Sequence, residues 1–161
     1  MSTARWARIG YSLVAWLFAV AAVIQIYLAG EAVFADLTRP GNFELHRNVG
    51  YGIGILGLIL LVLAFAAKMP LRVVAATALL LVLMVLQSVL VFMKTDQPNI
   101  AALHPVVGFL IVLLAVWIAW HTLRYIRAPL PVGPERPAAV PAPANGPAAP
   151  VPHEPKEDDQ I

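Results

Sequence analysis

The sequence predicts an all-α integral membrane protein: an up-down-up-down four-helix bundle followed by a disordered Pro/Ala-rich C-terminal tail. Three observations carry this. Of 161 residues, 60% are hydrophobic and 12% are charged, against about 45–50% apolar in ordinary soluble domains. The charges gather in short gaps and at the ends, leaving four apolar runs of roughly 20 residues or more, enough to cross a hydrocarbon layer about 30 Å thick. From Ala128 onwards the composition turns abruptly to Pro and Ala.

The first helix is expected over about 9–34, after the basic lead 1–8; only Ser12, Gln25 and Glu31 interrupt its apolar run. Its length sets it apart from a cleavable signal peptide, whose apolar core is about 7–15 residues. Residues 36–42 contain Thr38, Pro40, Gly41 and Asn42, which end one helix and cap the next. The second helix covers about 43–67. The very short turn Lys68-Met69-Pro70 makes it an antiparallel hairpin with the third, 71–93. The fourth is expected over about 100–126, with a bend near His104 because Pro105 falls early in it. Residues 1–127 thus form the transmembrane domain. Residues 128–161, ending in the acidic run Glu154-Pro155-Lys156-Glu157-Asp158-Asp159, bury too little apolar surface to fold and make a cytoplasmic tail.

Composition also excludes chemistry. With no cysteine, disulfides, thiolate metal sites, iron–sulfur clusters and covalently attached haem are all ruled out. The net charge of +2 reflects basic residues flanking the apolar runs, so a nucleic-acid partner is not expected and the lipid bilayer is. Arg5, Arg8, Lys68, Arg72, Arg124 and Arg127 fall on one side, against Arg39, Arg47 and Lys94 on the other. That bias places both termini in the cytoplasm of a multi-pass protein of the cell membrane. No nucleophile elbow, phosphate-binding glycine loop or HExxH motif is present.

The informative feature is a repeat. Leu45-His46-Arg47-Asn48-Val49-Gly50 opens the second helix, and Leu103-His104-Pro105-Val106-Val107-Gly108 opens the fourth. Each histidine lies four residues before a glycine, on the same helical face. Each is preceded by a glutamine in the outer half of the previous helix, Gln25 and Gln87, which suggests a duplicated helix pair about an axis along the membrane normal. Helices two and four run in the same direction, so His46 and His104 lie at one depth near the outer face and can face each other.

Two readings of this pair stay open. A haem in a helical bundle needs two imidazoles at equal depth, and small residues where the macrocycle presses on a helix. Gly50, Gly54 and Gly57 below His46, and Gly108, Val112 and Ala115 below His104, form such stripes. The same small residues equally suit direct helix packing. Arg47 is a candidate partner for a haem propionate, with Asn48, Tyr51 and Asn99 as further polar groups at the rim. Gln25 and Gln87 either bond between helices or line a cofactor or quinone pocket. A rival metal set joins His46 and His104 to Glu44 or Glu31. His121 has no second histidine near it, and Met69 at its level reads as a turn residue.

The runs Gln25-Ile-Tyr-Leu-Ala-Gly30, Leu45-His-Arg-Asn-Val-Gly50 and Ala102-Leu-His-Pro-Val-Val-Gly108 resemble small bacterial four-helix membrane proteins of largely uncharacterised function. More distantly, residues 10–125 are similar to one four-helix half of haem A synthase and to b-type membrane cytochromes. What the resemblance implies is haem b between His46 and His104, with electron transfer to or from a membrane quinol or another membrane redox partner. The chain departs from haem A synthase in having one half instead of two, and in placing Glu44 only two residues before His46. The alternative expectation is a cofactor-free structural or accessory membrane subunit.

Overall fold

Five helices account for nearly all the residues that the structure, a computed structural model, describes: 3–35, 41 and 43–126. They are α1 (Thr3–Phe34), α2 (Glu44–Ala66), α3 (Leu71–Phe92), α4 (Pro98–Ala101) and α5 (His104–Ile126). Most of the linker 36–42 and the whole expected tail 128–161 lie outside the described residues. Four spans are long and apolar enough to cross a bilayer: Arg5–Phe34, Glu44–Ala66, Leu71–Phe92 and Pro98–Ile126. The protein is therefore an all-α four-helix bundle of membrane-spanning hydropathy.

The helix ends follow local chemistry. α1 begins six residues earlier than the apolar run, because Ala, Arg and Trp in the basic lead carry no strong helix-breaking preference. At 32 residues it is about 48 Å long and must project beyond the hydrocarbon or tilt. α2 ends with Lys68 N–H on Phe65 O (3.0 Å) and Met69 N–H on Ala64 O (3.0 Å), the reciprocal pair of a Schellman motif. That motif needs a left-handed residue, normally glycine, and here Lys68 adopts it at φ 50°, at about 1–2 kcal/mol for an L-residue.

The fourth crossing corrects one expectation. Instead of a single bent helix from residue 100, it is a turn of helix, a break at Ala102-Leu103, and a restart at His104. Pro105 has no N–H to offer the carbonyl of Ala101. Ala102 and Leu103 close α4 on Pro98 O and Ile100 O (2.9 and 3.0 Å), and Val107 N–H opens α5 on Leu103 O (2.9 Å). His104 thus stands at the first turn of α5.

α1 and α3 each pack against both α2 and α5, which puts α2 and α5 on one diagonal of the bundle. Buried alanines (Ala15, Ala19, Ala22, Ala64, Ala115, Ala119) line the contacts between Tyr11, Phe18, Leu60, Leu80 and Ile118. Between helices in lipid the hydrophobic effect gives little, so close approach through small side chains supplies the cohesion. Gly57 meets Leu81 and Phe18, with Leu81 Cδ2 only 2.9 Å from where a Cβ would stand. Outward, Leu13, Val62 and Val82 are more than 60% exposed, as a lipid-facing surface requires.

At the end away from the histidines the core carries a polar layer. Tyr11 and Thr77 hydroxyls meet at 2.7 Å and those of Ser12 and Thr122 at 2.9 Å, all four buried. Buried Arg8 donates to Ala67 O (3.3 Å) and Tyr125 O (3.2 Å), tying the start of α1 to the ends of α2 and α5.

Candidate functional site

α1 and α2 run antiparallel, which brings Gln25 beside His46 although they are 21 residues apart. His46 Nδ1 lies 3.1 Å from the Gln25 carbonyl. A carbonyl can only accept, so this contact assigns the proton to Nδ1 and leaves Nε2 the basic nitrogen. In return Gln25 Nε2 donates to His46 O at 2.6 Å. A Cβ at Gly50 would come within 3.0 Å of that same Nε2. The glycine one turn after the histidine is what lets the amide reach the helix.

α3 and α5 repeat the arrangement. His104 Nδ1 donates to Gln87 O at 3.3 Å, and a Cβ at Gly108 would stand 2.8 Å from Gln87 Nε2. The two halves match in residue type, contact and order along the chain, in keeping with a duplicated helix pair. They differ in one bond, the amide-to-carbonyl contact made by Gln25. Both Gln25 Oε1 and Gln87 Oε1 are buried without a hydrogen-bond partner, each at a cost of about 1–3 kcal/mol.

The two imidazoles approach across the diagonal with ring centroids 6.3 Å apart and planes at 63°; Phe43 lies edge-on to His46 at 6.2 Å. Among the described residues neither Nε2 has a hydrogen-bond partner. One metal ion bonded to two imidazoles at about 2 Å, each ring centre about 1 Å further out, spaces the centroids by about 6 Å. Direct ring contact also spans about 4.5–7 Å.

The structure thus brings together His46, His104, Gln25, Gln87, Gly50 and Gly108. Arg47, Asn48, Tyr51 and Asn99 are exposed and take no part in the contacts around the rings. Gly54 has open space where a Cβ would go, whereas Gly57 serves helix packing. The stripe below His46 is therefore three glycines in three different settings. The rival three-ligand set is not assembled: among the described residues no group of three His, Cys, Asp or Glu is placed to hold a metal ion, and Glu31 and Glu44 are exposed. His121 sits at the far end, stacked on Trp117 at 4.1 Å and donating to Trp117 O at 2.9 Å. Met69 lies in the turn between α2 and α3, as read from sequence, with its side chain buried in the core.

Sequence reasoning missed the polar layer of Arg8, Tyr11, Ser12, Thr77 and Thr122. Its signal was available: hydroxyls inside otherwise apolar runs face protein more often than lipid.

Residues 25–95 match a family of unknown function, DUF6220. That segment starts at Gln25 and takes in His46, Gly50 and Gln87 but not His104, so the chain is similar to the family over one complete Gln–His–Gly set and the start of the next. No curated protein and no solved structure matches the chain, so no match connects it to the haem A synthases or the b-type cytochromes.

Proposed function

We propose that this chain is a membrane electron-transfer protein in which His46 and His104 ligate the iron of one haem b near the outer face, with both termini cytoplasmic. The observation that supports it is the imidazole pair: each Nδ1 donates to a backbone carbonyl, each Nε2 has no hydrogen-bond partner among the described residues, and the centroids are 6.3 Å apart on diagonal helices. Metal-ligating histidines usually donate their other ring N–H in this way, which fixes tautomer and ring direction. Two imidazoles presented in this way are donors of the kind that would hold iron, while the Gln25 and Gln87 amides lie on the faces of Gly50 and Gly108 that a macrocycle would press against. The orphaned Gln oxygens do not bear on it, since a porphyrin rim has no outward N–H to give them.

A haem held by His46 and His104 would supply a one-electron couple. The chain's own residues do the rest. The carbonyls of Gln25 and Gln87 aim the rings, and the Gln25 amide ties α1 to His46 O beside Gly50. Arg47, one residue from His46 and exposed, is the cation that would pair with a propionate at the rim, where a membrane quinol or other redox partner would exchange electrons.

A cofactor-free structural or accessory subunit has support of its own and needs no group beyond the chain. The amides already pack on the glycine faces, and the rings sit edge to face at an ordinary aromatic spacing. Optical spectra of protein purified from haem-replete cells, oxidised and dithionite-reduced, separate the two. The haem reading expects a Soret band that His46→Ala and His104→Ala each abolish and His121→Ala retains. A colourless, iron-free preparation overturns it and leaves the accessory subunit.

A further inference from the structure

Among the described residues, the charged side chains at the end of the bundle opposite the histidines are all basic. Arg5 on α1, Lys68 in the α2–α3 turn, Arg72 on α3 and Arg124 on α5 are all exposed there. The hydrogen bonds of Arg8 to Ala67 O and Tyr125 O, and of Arg72 to Tyr125, draw these segments together. Among the described residues the acids are Glu31, Glu44 and Asp96, all at the other end. No described carboxylate therefore answers these cations.

Two further features say what does. Trp6 and Trp120 at this end are 61% and 59% exposed, and outward tryptophans settle at headgroup level, so the neighbouring cations stand at the depth of lipid phosphates. Tyr125 Oη accepts from Arg72 Nε and Nη2 at 3.2 and 2.6 Å, which leaves its own O–H free to donate to an anion beside the guanidinium.

We infer that this end binds the phosphate groups of anionic phospholipids, with Arg72 and Tyr125 as the central donors and Arg5, Lys68 and Arg124 around them. The ligand is a lipid, not a soluble anion, because the tryptophans fix the site in the interface. Juxtamembrane cations near a bilayer surface each strengthen such binding by up to about fivefold at low salt.

The full-length protein, reconstituted in phosphatidylcholine vesicles with trace spin-labelled phosphatidylglycerol or spin-labelled phosphatidylcholine, gives the relative association of the two lipids by electron spin resonance. A severalfold preference for phosphatidylglycerol is expected. It should shrink in Arg72→Gln, in Lys68→Gln and further in the variant combining both with Arg124→Gln, and fall in 0.5 M salt. Having two single variants guards against misfolding of the triple one. Equal association of both lipids, or a preference that survives in both single variants, overturns the inference. So does loss of the preference on adding 10 mM inorganic phosphate at constant ionic strength, which would mark a site for free anions.

Discussion

Gly50 and Gly108 look alike in sequence but differ in what an added methyl would do. At Gly108 a Cβ meets Gln87 Nε2 at 2.8 Å, the far end of a flexible side chain with no bond to lose, so the amide can swing aside. At Gly50 it meets Gln25 Nε2 at 3.0 Å while that nitrogen donates to His46 O at 2.6 Å. Alanine gains up to about 1 kcal/mol of helix propensity at either position, and the lost bond costs about 0.5–1.5 kcal/mol at Gly50 alone. Gly50→Ala should therefore be less stable than Gly108→Ala by about 1 kcal/mol in a denaturant titration in detergent, with Gly52→Ala, where a Cβ meets open space, as the reference. Equal stabilities would mean the Gln25 bond contributes nothing. The histidines, glutamines and glycines were all visible in the sequence, and so was their repeat. That the glutamine amides occupy the glycine faces was not, because spacing along one helix says nothing of a side chain arriving from its neighbour.

Among the elements, the α2–α3 turn and the α4–α5 break show where one-dimensional reading holds. Lys68-Met69-Pro70 was readable as a tight turn, but not that Lys68 would take the left-handed position at φ 50°, since glycine is its usual signal. Relief of that strain outweighs the few tenths of a kcal/mol a cation gives at a helix C-terminus. Lys68→Gly should thus raise stability by about 0.5–1 kcal/mol in a neutral detergent. A loss instead would show that the turn relies on the lysine side chain. The polar layer allows a second check. Tyr11 and Thr77 belong to diagonal helices and bond at 2.7 Å, and buried hydrogen bonds in membrane bundles average about 0.6 kcal/mol, with a ceiling near 1.7. A double-mutant cycle with Tyr11→Phe and Thr77→Val should return a coupling within that range, while the distant pair Tyr11→Phe and Gly52→Ala should be additive.

For the whole molecule, the up-down-up-down order places Gln25, His46, Gln87 and His104 at one end and Arg8, Arg72 and Tyr125 at the other, which the run lengths alone made legible. Which end faces the cytoplasm rests on charge: Arg5, Lys68, Arg72 and Arg124 against Arg47 and Lys94 among the described residues. One member of the expected basic set acts differently, because Arg8 is buried and bonded to two helix ends; removing it from the tally lowers the bias without reversing it. The chain has no cysteine, so a single introduced thiol reports its side of the membrane without background. Lys94→Cys and Lys68→Cys replace exposed residues at opposite ends. In intact cells a membrane-impermeant maleimide should label Lys94→Cys, and should label Lys68→Cys only after permeabilisation. The reverse pattern would put the histidine pair on the cytoplasmic side, where a redox partner would have to be a cytoplasmic or inner-leaflet species, and would expose the basic end to the outer leaflet.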